Sequence, residues 1–237
     1  MIIGKAYYKF LDRDDVNRVL NDGTVLISSL EYYRGLEKAA WGLIADRLEG
    51  ASEMIMPDHF TITENSPELE MINNSGAAKG SARKLAHVES GGRINLGGAT
   101  FVRVLPGHVY CASYGSFDEL HRYYTVEAER KYNACLRITS FRRLARRIFR
   151  TGVILGTKMK FSDVFDRVAI DTVTYEARSR SINEGPMLEE SPFKKELVFK
   201  PQQEVRIYFV AKDGLRAEDR IVVRIEDPSS IFSKMPF

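Results

Sequence analysis

The feature that most constrains the fold is a stretch near the C-terminal end, FKPQQEVRIYFV at residues 199–210. Successive side chains of a β-strand point to opposite faces of the sheet, so residues two apart share a face. The alternation predicts a strand with an apolar row (Val205, Ile207, Phe209) and a polar row (Gln202, Glu204, Arg206, Tyr208). Because a polar row flanked by apolar residues costs free energy unless its groups are paired, the pattern is typical of a binding or catalytic strand.

Length and composition place the chain among ordinary globular proteins. It has 237 residues, of which 44% are hydrophobic and 28% charged, and such usage argues against wholesale disorder. The net charge of +3 permits an anionic ligand without demanding nucleic acid. The N-terminal residues do not resemble a signal peptide, no stretch suits a membrane span, and only two cysteines occur, Cys111 and Cys135. We therefore expect a cytoplasmic protein with reduced thiols and no membrane association.

Strand-like segments outnumber helical ones along the chain. Strands are predicted at residues 4–11, 24–28, 101–105, 108–115, 132–138, 164–176, 199–210 and 221–226, and helices at residues 12–21, 117–130 and 141–150. This mixture predicts a single α+β domain over residues 1–237, with a mixed, mostly antiparallel sheet and a few short helices. Residues 64–100, rich in Gly, Ser, Ala and Asn, are predicted to form a mobile insertion. Residues 178–200 are predicted to form a polar loop that leads into the Glu204 strand.

One predicted helix, FRRLARRIFR at residues 141–150, is strongly amphipathic. At about 100° per residue its arginines cover one face and its apolar residues the other. The arginines are Arg142, Arg143, Arg146, Arg147 and Arg150. Such a face can neutralise the phosphates of a nucleic acid or a dinucleotide. It can equally be a solvated face balanced by acidic neighbours such as Glu127 and Glu129.

The carboxylates of the chain admit more than one chemistry. Glu204 can accept a hydrogen bond from a sugar hydroxyl while Gln202 orients a second group. Arg206 can pair with Glu204 or with a ligand phosphate. The alternative is a cross-strand ion pair on a solvated sheet face. Asp46 and Glu49, in ADRLEG, can be an acidic pair at a helix end or part of a metal-dependent nuclease centre. The histidines and cysteines have no metal-ligand spacing, so we expect no structural metal.

Several segments together resemble a known family. They are YYKF at residues 7–10, VLISSLEYY at 25–33, VYCASYG at 109–115, YNACLRI with the following amphipathic helix at 132–150, and FKPQQEVRIYF at 199–209. Their order resembles a broad bacterial and phage-encoded family of unknown-function domains that includes AbiGi-type abortive-infection proteins. The chain is also similar to the ADP-ribosyltransferase fold, in which a late strand carries Gln-x-Glu or Glu-x-Glu.

The resemblance to the transferases implies NAD as the dinucleotide and assigns roles to residues. Gln202 and Glu204 match the Gln-x-Glu pattern, so Glu204 would hold a ribose hydroxyl and stabilise an oxocarbenium-like state as nicotinamide leaves. The first strand offers Tyr8 and Lys9 where these transferases usually place His or Arg. The other residues that the resemblance assigns to the dinucleotide are Ser28, Tyr32, Tyr33, Ser113 and Arg206. Tyr32 or Tyr33 would stack on nicotinamide, and residues 178–200 would select the target.

Two functional hypotheses result, from different classes. The first is an NAD-dependent ADP-ribosyltransferase-like toxin or phage-defence protein that modifies a macromolecule, either a protein or a nucleic acid. The second is a non-enzymatic nucleic-acid- or protein-binding module of phage or bacterial origin, in which the arginine face makes the contacts. The sequence names neither the target nor the oligomeric state.

Overall fold

The structure is a computed structural model that describes residues 6–36, 48–58, 61–63, 93–95, 98, 100–128, 131–157, 159–215 and 217–237. The predicted mobile insertion at 64–100 therefore falls outside the described residues, apart from positions 93–95, 98 and 100. Asp46 and Glu129 also lie outside them. The assignment of the whole chain to a single domain stays a prediction.

The described residues form an α+β structure in which strands predominate. The strands are β1 (Ala6–Leu11), β2 (Thr24–Ser29), β3 (Ala51–Ile55), β4 (Thr61–Thr63), β5 (Arg93–Asn95), β6 (Thr100–Val104), β7 (His108–Gly115), β8 (Ala134–Ile138), β9 (Val153–Ile154), β10 (Phe165–Thr172), β11 (Thr174–Tyr175), β12 (Ser179–Ser181), β13 (Lys194–Lys195), β14 (Glu204–Ala211), β15 (Arg220–Arg224) and β16 (Phe232–Lys234). The α-helices are α1 (Arg13–Asp22), α2 (Leu30–Leu36), α3 (Phe117–Arg122), α4 (Phe141–Thr151) and α5 (Phe161–Val164). A π-helix (Tyr123–Glu127) continues α3, and short 3₁₀ segments cover Ile182–Glu184, Leu197–Gln202 and Pro228–Ser230.

A nine-stranded antiparallel sheet organises the structure, and it confirms the predicted mostly antiparallel core. One path runs β16-β8-β1-β7-β2-β15-β9, and β14 joins β7 on its other edge and carries β10. Smaller strand pairings lie outside this sheet. Two of them are parallel, namely the pairing of β3 with β12 and the pairing of β11 with β13.

The large sheet forks at β7. Strand β14 pairs with β7 along His108–Ser113, whereas the opposite edge of β7 is shared by two strands. Strand β1 pairs with the end of β7 from Ser113 onward, and β2 pairs with its beginning at His108 and Val109. Between these pairings β1 and β2 diverge, and the Lys9 side chain crosses the gap to donate to the Cys111 carbonyl at 2.6 Å.

The two faces of the sheet are covered differently. The main core contains α1, α4 and α5 against the face that carries Val205, Ile207 and Phe209, as the alternation predicts. The opposite face carries Glu204, Arg206 and Tyr208. Smaller apolar clusters cover it on either side, one containing Tyr8 and Phe10 and the other Leu30 and Tyr208.

Two sequence-based predictions about the C-terminal half are wrong in part. The strand predicted from Phe199 begins only at Glu204, because Leu197–Gln202 forms a 3₁₀ turn and Gln203 takes a left-handed conformation (φ 44°). The predicted loop at 178–200 contains β12, β13 and a 3₁₀ turn. Arg178, at its start, is fully buried and donates to the carbonyls of Ala51 and Glu189.

Among the described residues, no helix combines the length and the apolar character needed to cross a membrane.

Candidate functional site

Four charged side chains meet beneath the polar face of β14 and form what we call the charge quartet: Glu49, Lys195, Glu204 and Arg206. Arg206 donates from Nε to Glu204 Oε2 at 2.9 Å and from Nη2 to Glu49 Oε2 at 3.1 Å. Lys195 Nζ lies 3.1 Å from Glu204 Oε1 and 3.6 Å from Glu49 Oε2. Two cations and two anions therefore balance one another, as burial requires.

Within the charge quartet, Glu204 is the member that reaches open space. Its side chain is 11% exposed, compared with 1–3% for the other three. Burial alone would raise the pKa of Glu204, but Lys195 and Arg206 outweigh it and lower that pKa from 4.5 to about 2. Glu204 is therefore a carboxylate at neutral pH.

The two oxygens of Glu204 are used unequally. Oε2 receives Arg206 Nε and lies 2.7 Å from Nη2 of the same side chain, whereas Oε1 receives Lys195 Nζ. A carboxylate oxygen accepts about two hydrogen bonds. Among the described contacts Oε1 thus keeps room for one further donor, such as a hydroxyl group.

Glu49 reaches the charge quartet from a tight turn before β3. The turn covers Leu48–Gly50, and Gly50 has φ +63° and lies against the Leu30 side chain. The positive φ favours glycine here, and a Cβ would also lie 2.6 Å from Leu30 Cδ1, so the Leu30 side chain would have to shift. Arg34 also donates to the Glu49 carbonyl at 2.6 Å and fixes the turn against α2.

Gln202 joins the site although it lies outside the strand. The left-handed Gln203 turns the chain between the 3₁₀ segment and β14, and Lys195 Nζ then donates to Gln202 Oε1 at 2.9 Å as well as to Glu204. Gly115, on the neighbouring β7, has φ +136°, and a Cβ there would lie 2.5 Å from Gln203 Oε1. The positive φ favours glycine at position 115, and the absence of a Cβ there leaves room for the end of the Gln203 side chain.

Two adjoining cavities open on this side of the sheet and at its fork. The smaller, of about 90 Å³, is lined by the charge quartet together with residues of β1 and β7. The larger, of about 300 Å³, lies between β1, α1 and β2. Lys9, Phe10, Tyr33 and Tyr132 line both. The larger cavity also touches main-core residues such as Tyr110 and Val25, so it borders the gap between β1 and β2.

The structure brings together every residue that the sequence assigned to catalysis or to a dinucleotide. The residues on the smaller cavity are Tyr8, Lys9, Tyr33, Ser113, Gln202, Glu204 and Arg206, and those on the larger are Lys9, Ser28, Tyr32 and Tyr33. Nine positions spread over the chain from residue 8 to residue 206 thus converge on one cleft.

The structure pairs Arg206 with Glu204, which is one of the two partners that the sequence left open, and its role as a phosphate ligand stays a prediction. Its three nitrogens donate to protein acceptors, namely the two glutamates of the charge quartet and the Pro192 carbonyl. Arg206 is a positioning residue that holds Glu49 and Glu204 in place. The solvated ion pair that is the alternative for Glu204 is wrong as well, because the pair is buried.

Two other titratable side chains at the smaller cavity, Cys111 and Tyr33, are neutral at physiological pH. Burial, followed by the charge of Glu204, raises the pKa of the Cys111 thiol to about 11, and burial raises that of Tyr33 well above its ordinary value. A protonated thiol is a poor nucleophile, so the raised pKa of Cys111 argues against thiolate chemistry there. Within the described ranges, no three His, Cys, Asp or Glu side chains converge as a metal ion requires.

The arginine helix α4 lies apart from both cavities. Its apolar residues Phe141, Leu144, Ala145 and Ile148 are buried in the main core. Arg142, Arg143, Arg146 and Arg150 are exposed, and Arg147 is half-buried, donates to the Glu226 carbonyl and lies 3.7 Å from Asp227. The expected balance by Glu127 is wrong, because that carboxylate pairs with Arg122.

Two members of the charge quartet are not recognisable as such from the sequence. Glu49 stands out there only as an acidic partner of Asp46, and Lys195 is one of several polar residues in a predicted loop. The sequence indicates Lys195 only indirectly. A carboxylate on a buried strand, such as Glu204, needs a nearby cation in addition to Arg206 on the same strand.

Comparison with known proteins adds no relative. No protein-family model, no curated protein and no solved structure matches the chain.

Proposed function

We propose that this chain is an ADP-ribosyltransferase-like enzyme that takes NAD as substrate and modifies a macromolecule, as a bacterial or phage toxin or defence protein would. The observation that carries the proposal is the ionised Glu204, which lines a cleft at the fork of the sheet and whose Oε1 keeps room for a hydroxyl donor. The curled antiparallel sheet with few helices is compatible with a transferase-like core.

The cleft has the chemistry that a dinucleotide needs. The larger cavity reaches the lower end of the size range typical of small-molecule sites. Aromatic rings of Tyr32, Tyr33 and Tyr132 line it for stacking, and Lys9, Arg18 and Arg220 bring positive charge for phosphates. Arg220 lies 5.1 Å from the centre of the Tyr32 ring, so charge and ring are presented together.

Glu204 supplies the electrostatic part of the reaction. A ribose hydroxyl donates to Oε1, and the carboxylate charge stabilises the positive charge that develops at the anomeric carbon. NAD supplies the ADP-ribosyl group: the bond between this carbon and the pyridinium nitrogen breaks, and its electron pair leaves with neutral nicotinamide. A nucleophile of the target forms the new bond and releases its proton to water. Lys195 holds Gln202 and Glu204 side by side during these steps.

Ligand-dependent unfolding tests the proposal directly. At a concentration of 100 times its Kd, NAD should raise the free energy of unfolding by about 2.7 kcal/mol, because it binds only the folded state. Thermal unfolding with NAD, with nicotinamide plus ADP-ribose, and with RNA gives the comparison. A stabilisation by RNA and none by NAD would replace the enzyme with a nucleic-acid-binding module.

The exposed arginine face of α4 favours that module as the second candidate function. Charge reversal at Arg143 and Arg146, both exposed, should weaken nucleic-acid binding. The slope of the logarithm of the binding constant against the logarithm of the salt concentration should also become shallower, by about 0.9 for each phosphate that is no longer neutralised. Filter binding over a range of salt concentrations measures both quantities. The matched control reverses two exposed arginines elsewhere, Arg122 and Arg224, for the same change in net charge. Equal weakening in both double variants, or no binding by the parent, would make the face merely solvated.

A further inference from the structure

Strand β10 is an edge strand with an unusual surface. It pairs with β14 along one side and, in the part of the chain that the structure describes, with no strand on the other. Val168 and Ile170 are 42% and 37% exposed, although their partners on β14, Phe209 and Ile207, are fully buried. An apolar edge of this kind invites pairing with another chain.

The backbone groups at this edge have a known direction. The Val173 N–H donates to the Glu204 carbonyl at 2.9 Å, so in the regular ladder the odd-numbered residues face β14. The N–H and C=O groups of Val168 and Ile170 therefore point away from β14, toward the open side.

The part of β10 whose outward backbone groups are unpaired is bounded by an irregularity at each end. A register shift between Phe165 and Arg167 places a bulge at Asp166. At the other end, the Thr172 N–H donates to its neighbour's carboxylate, Asp171 Oδ1, at 2.8 Å. The regular, open part of the strand is therefore Arg167 to Asp171.

The sequence of this open part, RVAID, is complementary to itself when read antiparallel. With Ala169 opposite Ala169 of a second copy, Val168 faces Ile170 and Arg167 faces Asp171, each pair occurring twice. Directly opposite apolar pairs and opposite charges are the pairs that stabilise antiparallel strands. We propose that β10 pairs with β10 of a second copy around a two-fold axis at Ala169, which makes the protein a homodimer with one continuous sheet.

The pairing accounts for the exposed apolar residues. In the dimer, the outward N–H and C=O groups of Val168 bond to those of Ile170 of the second copy, and the reverse holds around the axis. Val168 and Ile170 are then covered on the face that continues the main core. The charges of Arg167 and Asp171 have an alternative role, which is to keep the open edge of a monomer from pairing with other chains. That alternative predicts no association at any concentration.

Charge exchange across the axis tests the proposal. In a dimer of Arg167→Glu, two glutamates face two aspartates. In a dimer of Asp171→Arg, four arginines meet. Because like charges then lie opposite one another, the dimer Kd of each variant should be higher than that of the parent by about tenfold or more. An equimolar mixture of the two variants should form a heterodimer, since every pair is then opposite in charge. The doubly exchanged chain, Arg167→Glu with Asp171→Arg, should dimerise like the parent.

Sedimentation equilibrium across the micromolar range measures these associations, and circular dichroism checks the fold of each variant. Arg122→Glu, at an exposed site away from β10, is the control for the change in charge. A parent that stays monomeric, single variants that associate like the parent, or a mixture that gains nothing would each overturn the proposal.

Discussion

Replacing Glu204 with glutamine should lower the rate of nicotinamide release from NAD by roughly 100- to 1000-fold. Glutamine keeps the shape of the side chain and can still accept a hydrogen bond at Oε1. It lacks the negative charge that stabilises the developing cation, and that charge is present in the parent because Lys195 and Arg206 keep the carboxylate ionised. Nicotinamide release and transfer of label from NAD to a macromolecular extract are the measurements, with growth of a bacterial host as a cellular readout.

The matched control is Glu127→Gln, which removes one carboxylate charge from an exposed surface pair with Arg122. It should leave the rate of nicotinamide release unchanged, because Glu127 lines neither cavity. A folded Glu204→Gln protein that is as active as the parent would remove Glu204 from the mechanism. Inactivity of parent and variant alike, with a loss of stability in the variant, would leave Glu204 as a structural partner of Arg206.

Arg206→Met should be the most destabilising single substitution at the site, with a loss of about 3–5 kcal/mol in the free energy of unfolding. Methionine fills much of the volume but leaves Glu49 and Glu204 with Lys195 as the one remaining cation of the charge quartet. A buried carboxylate without a partner carries the whole penalty of its removal from water. Urea unfolding at neutral pH measures the loss.

Two further variants make this result interpretable. Arg122→Met breaks an exposed pair with Glu127 and should change stability by less than about 1 kcal/mol. Arg206→Met combined with Glu49→Gln removes one cation and one anion, so the double variant should be more stable than Arg206→Met alone. If Arg206→Met cost no more than Arg122→Met, the charge quartet would not be a buried, balanced unit.

Local periodicity is enough to predict the arrangement of β14. The alternation of Val205, Ile207 and Phe209 places those residues in the core and places Glu204 and Arg206 on the other face, since side-chain direction in a strand depends only on position. The same reasoning fails for Gln202, because a left-handed residue, Gln203, separates it from the strand. A positive φ at a non-glycine residue has no reliable signature in the sequence.

The contacts of the site cannot be predicted in the same way. Arg206 meets Glu49 across 157 positions of the chain, and Lys9 meets the Cys111 carbonyl across 102. Such contacts depend on which strands are neighbours in the sheet, and a single sequence does not encode that in any local pattern. The fork at β7 is a property of this kind, because β1 and β2 each look like ordinary strands on their own.

The distance in sequence between Glu49 and Arg206 has a consequence for biosynthesis. Contacts between residues far apart in a chain form late, because the loop between them must close first. During translation the turn that carries Glu49 is made early, whereas Lys195, Glu204 and Arg206 are made more than 140 residues later. A nascent or truncated chain that ends before β14 has no Glu204 carboxylate in a cleft. Under the proposed function, activity would therefore arise only after the chain has been synthesised and folded through β14.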